Sequence, residues 1–275
     1  MTIDVSTVLG GVSLSLCAMN AAGAGSSTPE DMRALAGSDA GAVVMKSTTV
    51  HPVTDREPHL RSLMNPGYQA YLSLVGELRA SGTPVIASLA GFAVEEYTDM
   101  AVAYATAGAD IIELNLADPF VVCNTAGHCD IEVVQAILSK VRNAQITTPL
   151  AVKLPAFTEQ EQLSAMVRLL RQMAIPIVVC VNAPIGAAAA PTLVTHVQFV
   201  CEAGRGAFDV VAVGGVSNGQ DILRALTQGA AAVQIGSAVQ HEGPGLFTRL
   251  RTEVADLVQK AGYDSMQALR SSATR

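Results

Sequence analysis

Residues 208–237 read FDVVAVGGVSNGQDILRALTQGAAAVQIGS, a pattern of strand, glycine turn, helix, short strand and glycine turn. It contains two apolar runs, Asp209–Val213 and Ala231–Ile235, whose lengths are typical of buried strands. Each run ends in a glycine turn, Gly214–Gly215 after the first and Gly236–Ser237 after the second. The pattern predicts two parallel strands, each followed at its carboxyl end by a glycine turn whose backbone N–H groups are not covered by side chains.

A helix is predicted between the two strands. Asn218 or Asp221 can open it, and Gly229 ends it. A helix N-terminus beside a glycine turn presents backbone N–H groups and the positive end of the helix dipole, which together favour a phosphate dianion. We therefore predict a phosphate-bearing ligand at these turns. The alternative is a pair of ordinary tight turns with no ligand.

Strand and helix patterns alternate in the same way along the whole chain. They begin with a predicted strand at Val12–Met19 and end with a predicted helix at Pro244–Ala261. Eight such alternations without a break in composition predict a single (β/α)8 TIM barrel over residues 1–275. In that fold a phosphate commonly binds after strands seven and eight, where the opening stretch lies. A doubly wound open sheet is the alternative, because alternation alone does not show closure.

Composition narrows the class of protein. Half of the 275 residues are apolar and 15% are charged, which is enough apolar material for a large core. The net charge is −7 without a basic cluster, which argues against nucleic acid or an anionic membrane as a partner. We expect no signal peptide and no membrane-spanning helix. Five cysteines are expected to be reduced thiols in a soluble, cytoplasmic protein.

Polar residues stand where the predicted barrel strands end. They are two lysines and three amides: Asn20, Lys46, Asn115, Lys153 and Asn182. Carboxyl ends of barrel strands face the active site, and polar groups in such buried places need partners. This set suits a flat ligand with many carbonyl and ring-nitrogen acceptors. Lys153 lies deep in an apolar run and needs an anionic partner, which a cofactor ring that becomes negative on reduction would supply.

Several phrases resemble the dihydroorotate dehydrogenase family, especially its soluble class 1 branch. The resemblance covers the chain from about Cys17 to Tyr263. In chain order the phrases are MNAAG (19–23), MKSTT (45–49), ELNL-x-x-P (113–119), VKLP (152–155), VN (181–182), VGGV-x-x-G-x-D (213–221) and GA-x-x-VQIGSA (229–238). The resemblance implies a TIM barrel that binds FMN and oxidises dihydroorotate to orotate, by proton abstraction and hydride transfer, in pyrimidine biosynthesis.

The resemblance also implies roles for individual residues. The matches to the cofactor-binding residues are Ala22, Gly23, Lys46, Ser47, Asn115, Lys153, Val181, Gly214, Gly215, Gly236 and Ser237. The matches to the substrate-binding residues are Lys46, Asn65, Asn115 and Asn182. Lys46 is thus counted with the catalytic groups as well. The family further implies a homodimer, and an acceptor such as fumarate or a quinone, or a partner subunit, for the electrons of the reduced flavin. Because the sequence shows no membrane-binding N-terminal helix, a soluble acceptor is expected.

The chain departs from the family in the loop after the fourth strand. Asp118 stands where the family has its catalytic cysteine, and Phe120 replaces a substrate-binding asparagine. Asp118 and Cys123 are rival candidates for the base, and a loop with no catalytic role is the third interpretation. Cys123, His128 and Cys129 match no strong zinc pattern, so no metal is predicted.

Two segments are also shorter than in the family, before Asn65 and after Asn182, and the segment lost after Asn182 normally helps cover the flavin and substrate. The alternative functions are therefore an FMN oxidoreductase for another cyclic amide, pyrimidine or enone, and a phosphate-binding barrel without redox chemistry.

Overall fold

Eight parallel strands form one sheet in a computed structural model that describes residues 3–23, 25–56, 58–117, 122–123, 128–182 and 190–273. The strands are β1 (Thr7–Leu9), β2 (Val12–Leu14), β3 (Ala18–Asn20), β4 (Val43–Val44), β5 (Val85–Leu89), β6 (Ile111–Asn115), β7 (Leu150–Pro155), β8 (Ile177–Asn182), β9 (Asp209–Val213) and β10 (Ala232–Ile235). The helices are α1 (Pro29–Ala36), α2 (Leu72–Arg79), α3 (Val94–Ala107), α4 (Ile131–Asn143), α5 (Gln160–Gln172), α6 (Ala190–Gly204), α7 (Gly219–Thr227), α8 (Ser237–Glu242), α9 (Leu246–Lys260) and α10 (Met266–Ala273). Two 3₁₀ segments, Pro58–Leu63 and Tyr68–Tyr71, lie between β4 and α2.

The sheet follows the order β3-β10-β9-β8-β7-β6-β5-β4, with helices between successive strands. The predicted (β/α)8 barrel is confirmed. The helix predicted between the glycine turns is confirmed as α7, whose N-cap is Asn218. None of the helices in the described ranges is long and apolar enough to span a membrane.

A single side chain links the first and last strands of this order, β3 and β4. Asn20 Nδ2 donates to the backbone oxygen of Val44 at 2.7 Å, and Asn20 Oδ1 accepts from the Val44 amide at 2.9 Å. The Gly41 amide also donates to Ala18 O at 2.9 Å. A Cβ on Gly41 would lie 1.9 Å from Leu16 O, so only glycine permits this approach. Asn20, predicted as a ligand-binding residue, here closes the barrel.

The core lies in two layers, which follow from the alternation of side chains along each strand. In β5, Ile86 points into the barrel, whereas Val85 and Ala87 pack against the helices. Ile111 and Ile177 share the inner layer with Ile86. The site described below is built on inward positions of these same strands.

The predicted single strand at Val12–Met19 is wrong, because the chain bends between β2 and β3. β2 instead pairs antiparallel with β1, and this hairpin covers the amino ends of the barrel strands. The Gly10 amide donates to Asp209 Oδ2 at 2.8 Å, and Thr7 Oγ1 donates to Ala231 O at 3.0 Å. The apolar pattern predicted burial correctly but carries no signal for a bend. With this end covered, the carboxyl ends of the strands are left for ligands.

The prediction of five reduced thiols is wrong, because Cys123 and Cys129 form a disulfide. Spacing alone does not show that two cysteines six residues apart meet. Cys17, Cys180 and Cys201 are free, the first two buried and the third partly buried. Burial raises the pKa of Cys17 and of Cys201 to about 12 and also raises that of Cys180.

Replacing Asn20 by alanine should destabilise the protein. The substitution leaves the amide and carbonyl of Val44 buried without partners, which costs about 2–4 kcal/mol in the free energy of unfolding. Chemical denaturation followed by circular dichroism measures this change. Asn143→Ala, which removes an exposed asparagine at the end of α4, is the control and should change the free energy by less than about 0.5 kcal/mol. Equal stability of the two variants would contradict the role of Asn20 in closure.

The thiols should titrate in two classes. Because thiolates are the reactive species, the free cysteines should react slowly with a thiol reagent in the native protein at pH 8. Denatured protein kept oxidised should show three thiols, and denatured, reduced protein all five. Five reactive thiols in oxidised, denatured protein would rule out the disulfide.

Candidate functional site

The residues predicted from strand ends lie at the carboxyl edge of the barrel. Ala22 and Gly23 follow β3, and Lys46 and Ser47 follow β4. Asn115 is the last residue of β6, and Lys153 lies within β7 beside it in register. Val181 and Asn182 end β8, but their side chains lie outside what the structure describes. The fold thus gathers the predicted positions at one end.

Lys46, which follows β4, lies against Gly23, which follows β3 on the other side of the barrel closure. Its side chain is 9% exposed, and Nζ donates to the backbone oxygen of Ser62 at 2.5 Å. Gly23 has a φ of +82°, and a Cβ there would lie 3.2 Å from Lys46 Nζ. Glycine at this position therefore allows the backbone turn and keeps the ammonium group in place.

A chain of buried polar side chains runs through the barrel from the mouth inward. Asn115 Nδ2 donates to Ser47 Oγ at 3.0 Å, and Ser47 Oγ lies 2.9 Å from Ser88 Oγ. Ser88 Oγ donates to Glu113 Oε1 at 2.9 Å, and Gln234 Nε2 donates to Glu113 Oε2 at 2.6 Å. All five residues are buried, and Glu113 is 0% exposed. The polar mouth is therefore connected to a polar interior.

Sequence reasoning missed Glu113, Ser88 and Gln234. The signal was present in the sequence. Each is a polar residue at an inward position of an otherwise apolar strand, as in AVQI at 232–235. Such residues need a partner, because burying an unpaired polar group or charge is costly. The three partners are far apart in sequence, so their meeting follows only from the barrel.

Lys153 finds its anionic partner within the chain. Its Nζ lies 4.0 Å from Glu113 Oε1, and both side chains are almost fully buried. The predicted need for an anionic partner is therefore met by a carboxylate of the protein itself, where the sequence had suggested a reduced cofactor ring. Pairing of the two charges explains how both are tolerated inside the barrel.

Asn65 is held by its own loop. Its Nδ2 donates to Leu63 O at 2.6 Å and to Thr49 Oγ1 at 3.0 Å. Its Oδ1 accepts from the Gly67 amide at 2.8 Å. This side chain is buried and orders the loop that follows β4. A substrate contact from Asn65 would have to share atoms that already bind backbone.

Two glycine turns follow β9 and β10, which are adjacent and parallel. Gly214 and Gly215 have φ of +114° and +66°, values that favour glycine. Among the described residues, the backbone amides of Gly214, Gly215, Gly236 and Ser237 find no hydrogen-bond acceptor. Unpaired amides grouped at one edge of a sheet form a site for an anion.

The first turn of α7, in contrast, is occupied by the protein itself. The Asp221 amide donates to Asn218 Oδ1 at 3.0 Å, and the Ser217 amide donates to Asp221 Oδ2 at 3.0 Å. The Gly219 amide donates to Glu253 Oε2 at 2.7 Å. With these donors used and two carboxylates present, α7 offers little to an anion. The glycine turns and the start of α8 are left as the anion site.

Of the two candidate bases, the structure describes Cys123 but not Asp118. Asp118 and Phe120 lie outside the described residues, which stop at Ala117 and resume at Val122. Cys123 is joined to Cys129, so it has no thiol to accept a proton while the disulfide is intact. Cys123 as the base is therefore corrected. The same bond removes two side chains from the weak metal alternative.

Among the buried side-chain acceptors without a donor in the described part of the chain, one lies near the glycine turns. Gln234 Oε1 has no hydrogen-bond partner, although its residue is only 1% exposed. It lies on β10, directly before the turn at Gly236. A bound molecule that spans from the anion site to the lysines and carries hydroxyl groups would satisfy this atom. The donors, the acceptor and the two ammonium groups together suit a phosphorylated, polar ligand with a flat acceptor-rich end.

Comparison with known proteins gives the family. A family model described as dihydroorotate dehydrogenase matches residues 5–204 and 185–258. The chain is 27% identical over 305 positions to the putative dihydroorotate dehydrogenase A (fumarate) of Streptococcus equi subsp. equi, covering 98% of this chain and 97% of that protein. It is 29% identical over 292 positions to the dihydroorotate dehydrogenase (fumarate) of Trypanosoma cruzi, covering 92% of each.

A solved structure agrees at the level of the fold. DHODH from Eimeria tenella, in complex with ferulenol, superposes with a TM-score of 0.81 over 97% of this chain and 87% of that one, at 14% identity. The alignment to the streptococcal protein is longer than the 275 residues of this chain, so this chain lacks some residues that the relative has. The motifs predicted this family, and the comparison confirms it. The chain belongs to the dihydroorotate dehydrogenase family, a family of oxidoreductases.

Proposed function

We propose that this protein is an FMN-dependent oxidoreductase that oxidises dihydroorotate to orotate in pyrimidine biosynthesis. One observation carries the proposal: four backbone amides after β9 and β10, for which the described residues provide no acceptor, lie at the same barrel mouth as Lys46, Ser47, Asn115 and Lys153. Relatives along nearly the whole chain are named dihydroorotate dehydrogenase (fumarate).

The cofactor residues fall into two groups. Gly214, Gly215, Gly236 and Ser237 would hold the phosphate of FMN through their backbone amides. Ala22, Gly23, Lys46, Ser47, Asn115, Lys153 and Val181 would line the ring. When bound, FMN supplies the acceptor for a hydride. The positive φ at Gly23 and the lone acceptor at Gln234 Oε1 support this fit.

The substrate would lie on the ring and be held by Lys46, Asn65, Asn115 and Asn182. Asn115 has its Oδ1 bound to the Ala117 amide at 3.1 Å, which fixes its amide orientation. One hydrogen of its Nδ2 is used by Ser47, and the other is left to donate to a ligand carbonyl. The ammonium group of Lys46 can bind a carboxylate of the substrate.

Asp118 is proposed as the base. It is the next residue after Ala117, where the described segment that contains β6 stops. The resemblance matches it to the family's base position. A solvated aspartate has a pKa of about 3.9 and is a weak base, so exclusion of water by the bound substrate must raise its basicity. The proton would leave substrate carbon for the Asp118 carboxylate while the hydride leaves in the other direction.

The remaining parts of the proposal concern partners. The soluble electron acceptor is proposed from relatives whose printed names include fumarate. A cytoplasmic location and a homodimer are also proposed, from the family resemblance. The Asn65 side chain already makes hydrogen bonds to its own loop. This favours one alternative function, the oxidation of a different cyclic amide, pyrimidine or enone.

A charge placed at the anion site should weaken FMN binding. A Cβ on Gly236 meets no atom within 4 Å, and its φ of −98° is open to other residues. Gly236→Asp should therefore fold but repel the phosphate, raising the dissociation constant for FMN by roughly 100-fold relative to wild type. Fluorescence titration of the apoprotein measures it.

Two controls separate charge from shape. Gly236→Asn has nearly the same shape without charge and should weaken binding much less. Gly245→Asp adds the same carboxylate at another glycine whose Cβ position is open, and it should bind FMN like wild type. Equal affinities for Gly236→Asp and wild type would place the phosphate elsewhere.

The function is tested by the visible spectrum of the purified protein before and after anaerobic dihydroorotate. We expect flavin bands, with or without added FMN, that bleach on addition of the substrate. Asp118→Asn should keep the flavin bands and slow the bleaching by roughly 10²–10⁴-fold, the usual worth of a general base. Asp99→Asn, on the exposed face of α3, is the matched control and should bleach at the wild-type rate.

Each outcome has a distinct meaning. Flavin bands that persist after addition of dihydroorotate would contradict dihydroorotate as the substrate and favour a different cyclic amide, pyrimidine or enone. Protein that binds no FMN would overturn the cofactor assignment itself. Rapid bleaching in Asp118→Asn would remove Asp118 from the reaction.

A further inference from the structure

Glu113 is the most deeply placed ionisable group of the site, and nothing in the proposed reaction uses it. Its contacts are all of the kind a carboxylate makes. Ser88 Oγ donates to Oε1, Gln234 Nε2 donates to Oε2, and Lys153 Nζ lies 4.0 Å from Oε1. Gln234 must present its nitrogen here, because the other orientation would bring two acceptors to 2.6 Å.

The carboxylate decides the direction of the whole hydrogen-bond chain. Ser88 has one hydroxyl hydrogen, and it is used on Glu113. Ser47 must then donate to Ser88, and Ser47 Oγ in turn accepts from Asn115 Nδ2. Neither serine has a hydrogen left for a ligand. Ser47 can therefore only accept from a ligand, and Asn115 presents a donor.

The same carboxylate also balances the charge of Lys153. Inside a barrel, where the effective dielectric constant is far below that of water, an ammonium group without a counterion would exert a strong positive potential on its surroundings. A positive potential beside a flavin ring stabilises the negatively charged reduced form. With Glu113 close to Lys153, that stabilisation is reduced.

We propose that Glu113 is a positioning residue that fixes the donor direction of Asn115 and Ser47 and moderates the positive charge of Lys153 at the ring-binding end of the site. This inference rests on the proposed FMN site. Glu113 acts through Lys153, Ser88 and Ser47, and it touches neither cofactor nor substrate itself.

The test is the midpoint potential of FMN bound to the holoprotein, measured by anaerobic reductive titration against a dye of known potential. Glu113→Gln keeps the shape and removes the charge. Gln234 can rotate its amide so that its lone Oε1 accepts from the new side-chain amide, so the hydrogen bonds can be kept. We expect the potential to shift to a more positive value, with the equilibrium for reduction raised roughly tenfold.

Glu132→Gln, at an exposed position on α4, is the matched control and should leave the potential at the wild-type value. An unchanged potential in Glu113→Gln would overturn the charge-balancing role. Wild-type protein that binds no FMN would overturn the proposed function, and this inference with it. The two failures are thus told apart by the wild-type spectrum.

A second variant tests the donor direction and remains informative if Glu113→Gln does not fold. Ser88→Ala leaves both charges in place and removes the hydroxyl that joins Glu113 to Ser47. The bound flavin should keep its potential, while the dissociation constant for FMN should rise about five- to tenfold as Ser47 and Asn115 lose their fixed orientation. An unchanged dissociation constant would overturn the role of the hydrogen-bond chain.

Discussion

The site depends on the pair of hydrogen bonds between Asn20 and Val44. β3 and β4 are the first and last strands of the sheet order, and the order gives no strand pairing between them. The amide side chain of Asn20 links them instead. That link brings the turn at Gly23 against Lys46. The first polar turn of the chain and the lysine after the second barrel strand thus meet because the barrel closes there.

Charge inside the barrel is organised as a balanced set. Lys153 and Glu113 come from adjacent strands, β7 and β6, and their side chains meet at 4.0 Å in the interior. Neither would be stable there alone, because each buried charge needs a partner. Ser88 and Gln234 complete the set by donating to the carboxylate. The interior is therefore part of the site rather than a passive apolar filling.

The two ends of the barrel have different roles. The hairpin of β1 and β2 covers the amino ends of the strands through Gly10 and Thr7. At the opposite end, the amides after β9 and β10 find no acceptor among the residues that the structure describes, although α7 nearby uses its own first-turn donors on Asn218, Asp221 and Glu253. The proposed anion would therefore bind at the glycine turns and not at the start of α7.

The barrel and the family were both predictable from the sequence, and the same local patterns led to the proposed anion site. Strands and helices of this chain carry clear periodic patterns, and glycine turns such as Gly214–Gly215 are local features that need no knowledge of distant residues. The start of α7 at Asn218 was likewise predicted, because capping depends on neighbours in sequence.

Contacts between residues far apart in the chain could not be predicted from the sequence. The bend between β2 and β3, the disulfide of Cys123 with Cys129, and the ion pair of Lys153 with Glu113 all depend on how strands and loops come together in space. Lys153 clearly needed an anion, but the sequence could not say that Glu113, forty residues earlier, would supply it. Local patterns fix burial and secondary structure, whereas the partner of a buried charge is chosen by the register of neighbouring strands.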